Sequence, residues 1–393
     1  MTAPGDRAHA HLDAPMTRAL SAFYFFTFGG IGAVMPFLPI LFKARGLSPT
    51  EVGWIMLLAP LSGLLVPPLF GWVADAWRAR LALLRTAGLG CALGALAFLP
   101  AGGFSGALGA MALYSFFRAP IVPLADSAAH AALGERAHHF ARIRIFGSLG
   151  FAGFAVGVGQ LEGPAHPALM LGLAAVAHVL SALSTTGLAT PPLEKQDKVL
   201  AEAMQFVLQP RMIALFVGSA FYYVAHGAYD VYFGLHMEAL GHSDGFVGVA
   251  WMVGVMCEVG LMLVAPRLLE GRTGEIYLFV AGVTATLRFA LLAAVTEQAA
   301  ILATQALHAV TFGLWYLALV RYVQVRAPAR ARTTVQTVAQ GATALGSMAG
   351  SLAGGRLMEA LGGAAVFRMA AGAAAVAAVF YLGLVIRTRL RGP

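Results

Sequence analysis

The sequence predicts an all-α membrane protein of twelve transmembrane helices arranged in two pseudo-symmetric six-helix bundles. Three observations predict it. First, 59% of the 393 residues are hydrophobic and only 11% charged, with a mean hydropathy of +0.77, whereas a soluble chain carries roughly 25% charged residues. Second, apolar run follows apolar run, each near the ~20 residues that cross ~30 Å of hydrocarbon as helix. Third, features of the first half recur in the second. The 46 glycines suit such an assembly, because small residues let helix backbones approach closely.

Spans are read near 19–42, 51–74, 82–100, 104–127, 143–160 and 167–188, then near 212–236, 245–267, 276–295, 298–322, 333–355 and 363–386. Connections are short except for 189–211, which holds Pro191, Pro192, Glu194, Lys195, Asp197 and Lys198. That composition divides the chain into an N-terminal bundle (1–188), a linker (189–211) and a C-terminal bundle (212–393). Residues 1–17 are polar and the first apolar run is long enough for a permanent span, so a cleavable signal peptide is not expected. Cys91 and Cys257 both fall inside apolar runs with no CxxC spacing, so neither a disulfide nor a metal site is expected. No cofactor is implied.

The net charge of +8 does not indicate nucleic acid. The basic residues sit in short loops between apolar segments, as a topology signal does, and form no basic face. Arg78, Arg80 and Arg85, Arg136, Arg142 and Arg144, Lys195 and Lys198, Arg326, Arg330 and Arg332, and Arg387, Arg389 and Arg391 all fall on the side of the termini. The other side holds Lys43, Arg45 and Arg356. The expectation is a bacterial-type inner-membrane protein with both termini cytoplasmic, working as a monomer.

The halves resemble each other through several small matches taken together. Gly46-Leu47-Ser48-Pro49-Thr50-Glu51-Val52-Gly53 and Gly241-His242-Ser243-Asp244-Gly245-Phe246-Val247-Gly248 share Gly, Ser, Val and Gly in register. At the same offset Asp75 matches Glu270, and Ala22-Phe23-Tyr24 echoes Ala220-Phe221-Tyr222 with a small slip. Duplicated helix bundles are a common architecture of secondary transporters.

Ionisable residues inside the spans carry the functional signal. Each costs at least ~2.5–3.5 kcal/mol at a helix centre, so each needs an internal partner or water. They are Arg118 and Asp126 in span 4, Arg144 at the start of span 5, Asp230 in span 7, Glu258 in span 8 and Arg288 in span 9, joined by His226 and His308. The competing reading for each is a structural ion pair between helices. Helical spacing groups them: Trp251 with Glu258; Thr304, His308, Thr311 and Trp315; and Tyr222, His226, Tyr229 and Phe233 with Asp230 one turn on. Span 11 adds Thr333, Gln336, Thr337 and Gln340. Aromatic stripes often mark packing or lipid belts, but stripes mixing rings with acids and histidines suit the wall of a wet cavity.

Gly71-Trp72-Val73-Ala74-Asp75 followed by Arg78 and Arg80 resembles, in degenerate form, the loop motif of the major facilitator superfamily. Asp75, Arg78, Arg80 and Glu270 are the candidate conformational latch, since a carboxylate beside cations at a helix end forms a breakable contact. A closer resemblance lies in Pro123-Leu124-Ala125-Asp126 and in Ala141-Arg142-Ile143-Arg144-Ile145-Phe146-Gly147-Ser148-Leu149-Gly150-Phe151. With Met256-Cys257-Glu258, Leu287-Arg288-Phe289 and Ala306-Leu307-His308, these segments resemble the lactose-permease-like proton symporters, and within them the phenylpropionate-permease branch. That resemblance implies that Asp126 and Arg144 hold substrate as a carboxylate–arginine pair, that Glu258 is the membrane carboxylate, and that Arg288 and His308 take part in proton coupling. Thr311 stands where that family has a second acid, Phe151 replaces its stacking tryptophan, and Leu261 replaces a polar residue, so a galactoside is not the expected solute.

The expectation is proton-coupled symport of a small organic solute, such as an aromatic carboxylate, a sugar or a related polar metabolite. Expected substrate-binding residues are Asp126, Arg144, Phe151, Arg118, Trp251, Tyr229 and Trp315, and expected proton-coupling residues are Glu258, Arg288, His308, Asp230 and His226. Alternatives are an exporter working by proton antiport and a membrane-embedded enzyme. Against the enzyme, the sequence holds no HExxH, no Walker loop and no nucleophile motif with a base.

Overall fold

The computed structural model describes residues 14–77, 79–133, 140–188 and 200–391. Arg78, Arg136, Lys195 and Lys198 lie outside the described residues. The first span is α1 (Ala14–Val34) followed by α2 (Leu38–Ala44). It breaks at Pro36, which has no N–H to give to a helix ladder. The second is α3 (Pro49–Met56) and α4 (Leu58–Trp77), and the third is α5 (Arg80–Ala97). The fourth, α6 (Gly103–Arg118) and α7 (Ile121–Leu133), breaks at Ala119-Pro120; α8 (Phe140–Gln160) and α9 (Pro167–Ser184) complete the N-terminal set.

A short helix, α10 (Leu200–Val207), precedes the C-terminal set: α11 (Pro210–Ala239), α12 (Asp244–Leu269) and α13 (Glu275–Leu292). The tenth span comprises α14 (Gln298–Ala306), a π-helical turn at Ala309–Leu314, and α15 (Trp315–Arg326). The last two are α16 (Arg332–Leu361) and α17 (Gly363–Arg391), and no strand occurs among the described residues.

Eleven helical stretches among the described residues are long and apolar enough to cross a bilayer. The twelfth span is α16, whose 30 residues give about 45 Å of helix but whose apolarity is diluted by Thr333, Thr334, Gln336, Thr337, Gln340, Thr343, Ser347 and Ser351. It packs against α11 and α17 and across to α3 and α4. Protein, and not lipid, therefore meets much of its surface, which is where polar groups are tolerated at membrane depth. The chain is a multi-pass membrane protein.

The repeated octapeptide has the same backbone job twice. Gly46 (φ 85) and Gly241 (φ 83) adopt left-handed conformations that close the ends of α2 and α11. Leu47 N–H then donates to Phe42 O (3.1 Å) and His242 N–H to Met237 O (3.0 Å), a glycine-dependent helix stop. Ser48 and Ser243 cap the next helices, each hydroxyl accepting from the backbone N–H three residues on, at 3.2 Å.

The final glycine of each copy touches the other half. A Cβ on Gly53 would lie 2.7 Å from Ser351 O, and a Cβ on Gly248 would overlap the Ala155 carbonyl. Lys43 and Glu238, related by the same offset, pair across the halves at 3.1 Å. Ser351 Oγ donates to Gly53 O (2.9 Å), and Thr50 N–H to Glu359 Oε2 (3.3 Å). These described bonds between halves all lie at the Gly46/Gly241 end.

At the opposite end each half is tied to itself. Arg85 Nε donates to Thr185 Oγ1 (2.9 Å), and Arg326 to Glu275 (2.7 Å), with Thr388 bonded to both of the latter. Among the described residues, the halves are bonded to each other at one end and not at the other.

Candidate functional site

Two polar groups, one from each half, lie within electrostatic reach of one another. On the N-terminal side, Tyr24 of α1 donates its hydroxyl to Asp126 Oδ1 of α7 at 2.6 Å. The expected Asp126–Arg144 ion pair is not formed. The Arg144 guanidinium instead lies 3.9 Å over the Phe28 ring and 5.5 Å from that of Tyr24. Gly147, one turn along α8, makes room for that placement, since a Cβ there would sit 2.7 Å from Arg144 Nη1. A further turn on, Phe151 meets Trp251 of α12 edge to face, at 5.8 Å between centroids.

On the C-terminal side, Arg288 is fully buried and ringed by acceptors. It donates to Gln305 Oε1 (2.8 Å), Thr311 Oγ1 (3.1 Å) and His308 Nδ1 (3.1 Å), and lies 4.4 Å over the Tyr229 ring. A guanidinium only donates, so Nδ1 of His308 accepts, and the neutral imidazole carries its proton on Nε2. That Nε2 points at Glu258 Oε2, 3.8 Å away. The π-helical turn starts directly after His308 and ends before Trp315. It widens the helix by about one residue per turn, and such bulges collect at functional sites. His308 just before it and Thr311 within it both contact the guanidinium of Arg288.

The two groups sense each other. Glu258 is within electrostatic reach of Arg144, and the exposed Tyr316 of α15 is within reach of both Asp126 and Arg144. Asp230 is accessible yet enclosed by protein, close enough to Arg288, Tyr223 and Tyr229 to interact electrostatically.

Other expected residues sit elsewhere. Trp315 is buried within the C-terminal set, stacked on Tyr222 at 5.0 Å and donating Nε1–H to Tyr381 Oη at 2.8 Å. It is a packing element and not part of a solute wall. His226 is buried and stacked on Tyr222, its Nδ1 against the Tyr222 carbonyl, and makes no ion pair with Asp230. Tyr229 is buried beneath Arg288, donating to Gln305 (2.7 Å), and reaches the central space only through its neighbour Trp251. Arg118 acts on Cys91, Tyr114 and His178 inside the N-terminal set, with no described contact to Asp126 or Arg144.

In the expected latch, Asp75 pairs with Arg80 (3.2 Å) within one half, and Glu270 is exposed with no ion pair among the described residues. Sequence reasoning missed Tyr24, although the repeat contained it, and missed Gln305, which sits three residues before His308 on the same helical face.

Residues 17–369 match the model of the MFS_1 like family. The chain belongs to that family. Among MFS_1 like relatives, "Maltose permease" of Geobacillus stearothermophilus is 29% identical over 343 residues, covering 86% of each chain. "Probable 3-phenylpropionic acid transporter" of Escherichia coli K12 is 25% identical over 317 residues, covering 79% of this chain and 83% of its own. The resemblance to phenylpropionate permeases seen in the motifs extends through most of the chain. Among solved structures, the nucleoside transporter NupG superposes with TM-score 0.82 at 16% identity over 94% of this chain and 98% of its own. The POT family transporter PepTSo gives 0.77 at 12% over 96% and 98%. Both superpose on nearly the whole fold of this MFS_1 like protein, which is a membrane transporter.

Proposed function

We propose that the protein is a secondary active transporter that carries a small organic solute together with protons by alternating access. The observation that carries this reading is the Glu258–His308–Arg288 group on one side of a central space and Arg144 with Asp126 on the other. Phe151, Trp251 and Tyr316 lie between them. The solute class spans aromatic carboxylates, sugars and related polar metabolites, the first two in keeping with the names of the relatives.

Glu258 is the proton site. Arg288 gives its terminal donors to three neighbours and holds His308 in one tautomer, so the carboxyl of Glu258 keeps one mobile partner and open space. A proton falling through 100 mV releases about 2.3 kcal/mol per charge, which is the work available to concentrate solute. The protein acts as a monomer in a bacterial-type inner membrane with both termini in the cytoplasm. The Asp75/Glu270 end then faces the cytoplasm.

Reconstitution in proteoliposomes tests the reading. Solute counterflow is expected for the wild type, with external alkalinisation when solute is added; acidification would mark an antiporter. Glu258→Gln, which mimics the protonated acid, is expected to keep exchange and to lose accumulation against a gradient. A mutant that still concentrates solute would move the proton to Asp230. Failure of counterflow across a broad solute panel would overturn transport itself.

A further inference from the structure

Arg144 carries five N–H donors, yet no described hydrogen bond or ion pair uses them. Its described contacts are the faces of Phe28 and Tyr24. The natural partner, Asp126, is on the neighbouring helix α7, and Asp126 is engaged by Tyr24 at 2.6 Å. The other charged or titratable groups in range of these two are Glu258 and Tyr316 across the central space and the exposed His130 on α7. None of them bonds Arg144.

A half-buried guanidinium with an unused planar fork, floored by the rings of Phe28 and Tyr24, has the chemistry to take a carboxylate two-handed. The rings suit an apolar body attached to it. An aspartate free to rotate onto Arg144 would cancel that preference by supplying the carboxylate internally. The Tyr24 hydroxyl already occupies that carboxylate, at 2.6 Å.

We infer that Tyr24 is the specificity-determining residue of the solute site. By holding Asp126 off Arg144 it reserves the arginine fork for the carboxylate of a monocarboxylate solute with an apolar body. The inference rests on the transport reading and narrows it. Tyr24 is a positioning residue that acts through Asp126; Arg144 makes the contact. Gly147 belongs to the same device, because any side chain there would displace the guanidinium from its bed on Phe28.

The experiment is a thermal-shift and radioligand-binding comparison on purified full-length protein. The probes are a panel of aliphatic and aromatic monocarboxylates, 3-phenylpropionate included, each beside its neutral amide, together with maltose. The wild type is expected to bind at least one carboxylate and to reject its amide. Tyr24→Phe removes only the hydroxyl and is expected to weaken carboxylate binding about tenfold, the loss of one charge-assisted contact, as Asp126 closes on Arg144. Adding Asp126→Asn to Tyr24→Phe is expected to recover most of the loss, because the competing internal carboxylate is gone. A purely structural role for Tyr24 predicts no such recovery.

The inference is overturned if no carboxylate binds the wild type, if an amide or maltose binds as tightly, if Tyr24→Phe binds as the wild type does, or if the double mutant stays impaired. Arg144→Lys separates misfolding from lost recognition, since it is expected to lose the carboxylate while keeping the wild-type melting profile. Counterflow of a neutral solute alongside failure of every carboxylate would refute this inference and leave transport standing.

Discussion

Replacing Gly248 by alanine places one methyl group between the two halves. The new Cβ would overlap the carbonyl oxygen of Ala155 and lie 3.1 Å from Val156 Cα. Both obstacles are backbone, so no rotamer change relieves them, and α8 and α12 must part at the clamped end. Overpacking of this kind costs about 1–3 kcal/mol. The cost falls only on the state in which those helices touch, so it shifts the ratio of the two access states by about 5- to 140-fold. Alanine also favours helix over glycine by up to about 1 kcal/mol, so the helix itself does not suffer.

Gly53 occupies the matching position of the other copy, where a Cβ would meet Tyr232 Oη at 2.6 Å and Ser351 O at 2.7 Å. The double replacement is expected to shift the ratio further, because separated sites add. The assay is a distance distribution between spin labels on the 45–48 and 239–243 connections, with a second pair near Asp75 and Glu270. The clamped end is expected to lengthen and the other to shorten. Gly63→Ala and Gly153→Ala are controls, since a Cβ at either meets nothing within 4 Å. Unchanged distances in Gly248→Ala, or equal shifts in the controls, would refute the claim that this close approach holds the state.

Arg288→Lys is expected to lower stability by about 3–6 kcal/mol, because a point-like ammonium keeps one of three charge-assisted bonds, each worth about 1.5–3 kcal/mol; melting in detergent micelles reads it, and an unchanged melting curve would contradict the geometry. Asp75→Asn breaks the exposed pair with Arg80, which contributes no more than about 1 kcal/mol here, so stability is expected to hold while the same label pairs report a population shift. Identical distributions would remove Asp75 from any latch. Lys43→Glu opposes two carboxylates across the clamped end and is expected to open it, and adding Glu238→Lys is expected to close it again; accessibility of single cysteines at that end to a membrane-impermeant thiol reagent checks both.

The twelve spans were legible because hydropathy and length act locally: about 20 apolar residues must form their hydrogen bonds within the segment wherever it sits. The repeated octapeptide was visible as a repeat, and its work as helix stop and cap is equally local, since Gly46 with Ser48 and Gly241 with Ser243 act through bonds to residues within five positions. Even the polar α16 was readable as a span from its neighbours and its length. The azimuth of each helix was not readable, because it depends on which surfaces the other helices leave.

That Asp126 and Arg144 stay apart came from the packed fold alone, through a tyrosine 102 positions away. Packing likewise turned Trp315 and His226 inward among Tyr222 and Tyr381 while leaving the neighbouring Asp230 accessible. That the shared face of His308 and Thr311 meets Arg288 of a different span, and that a π-helical turn follows His308, came from the packed fold. The order of residues was enough to say that charges lie buried in the membrane. Which of them meet is a property of packing, because a side chain's partner is set by helix rotation and approach, to which residues from every part of the chain contribute.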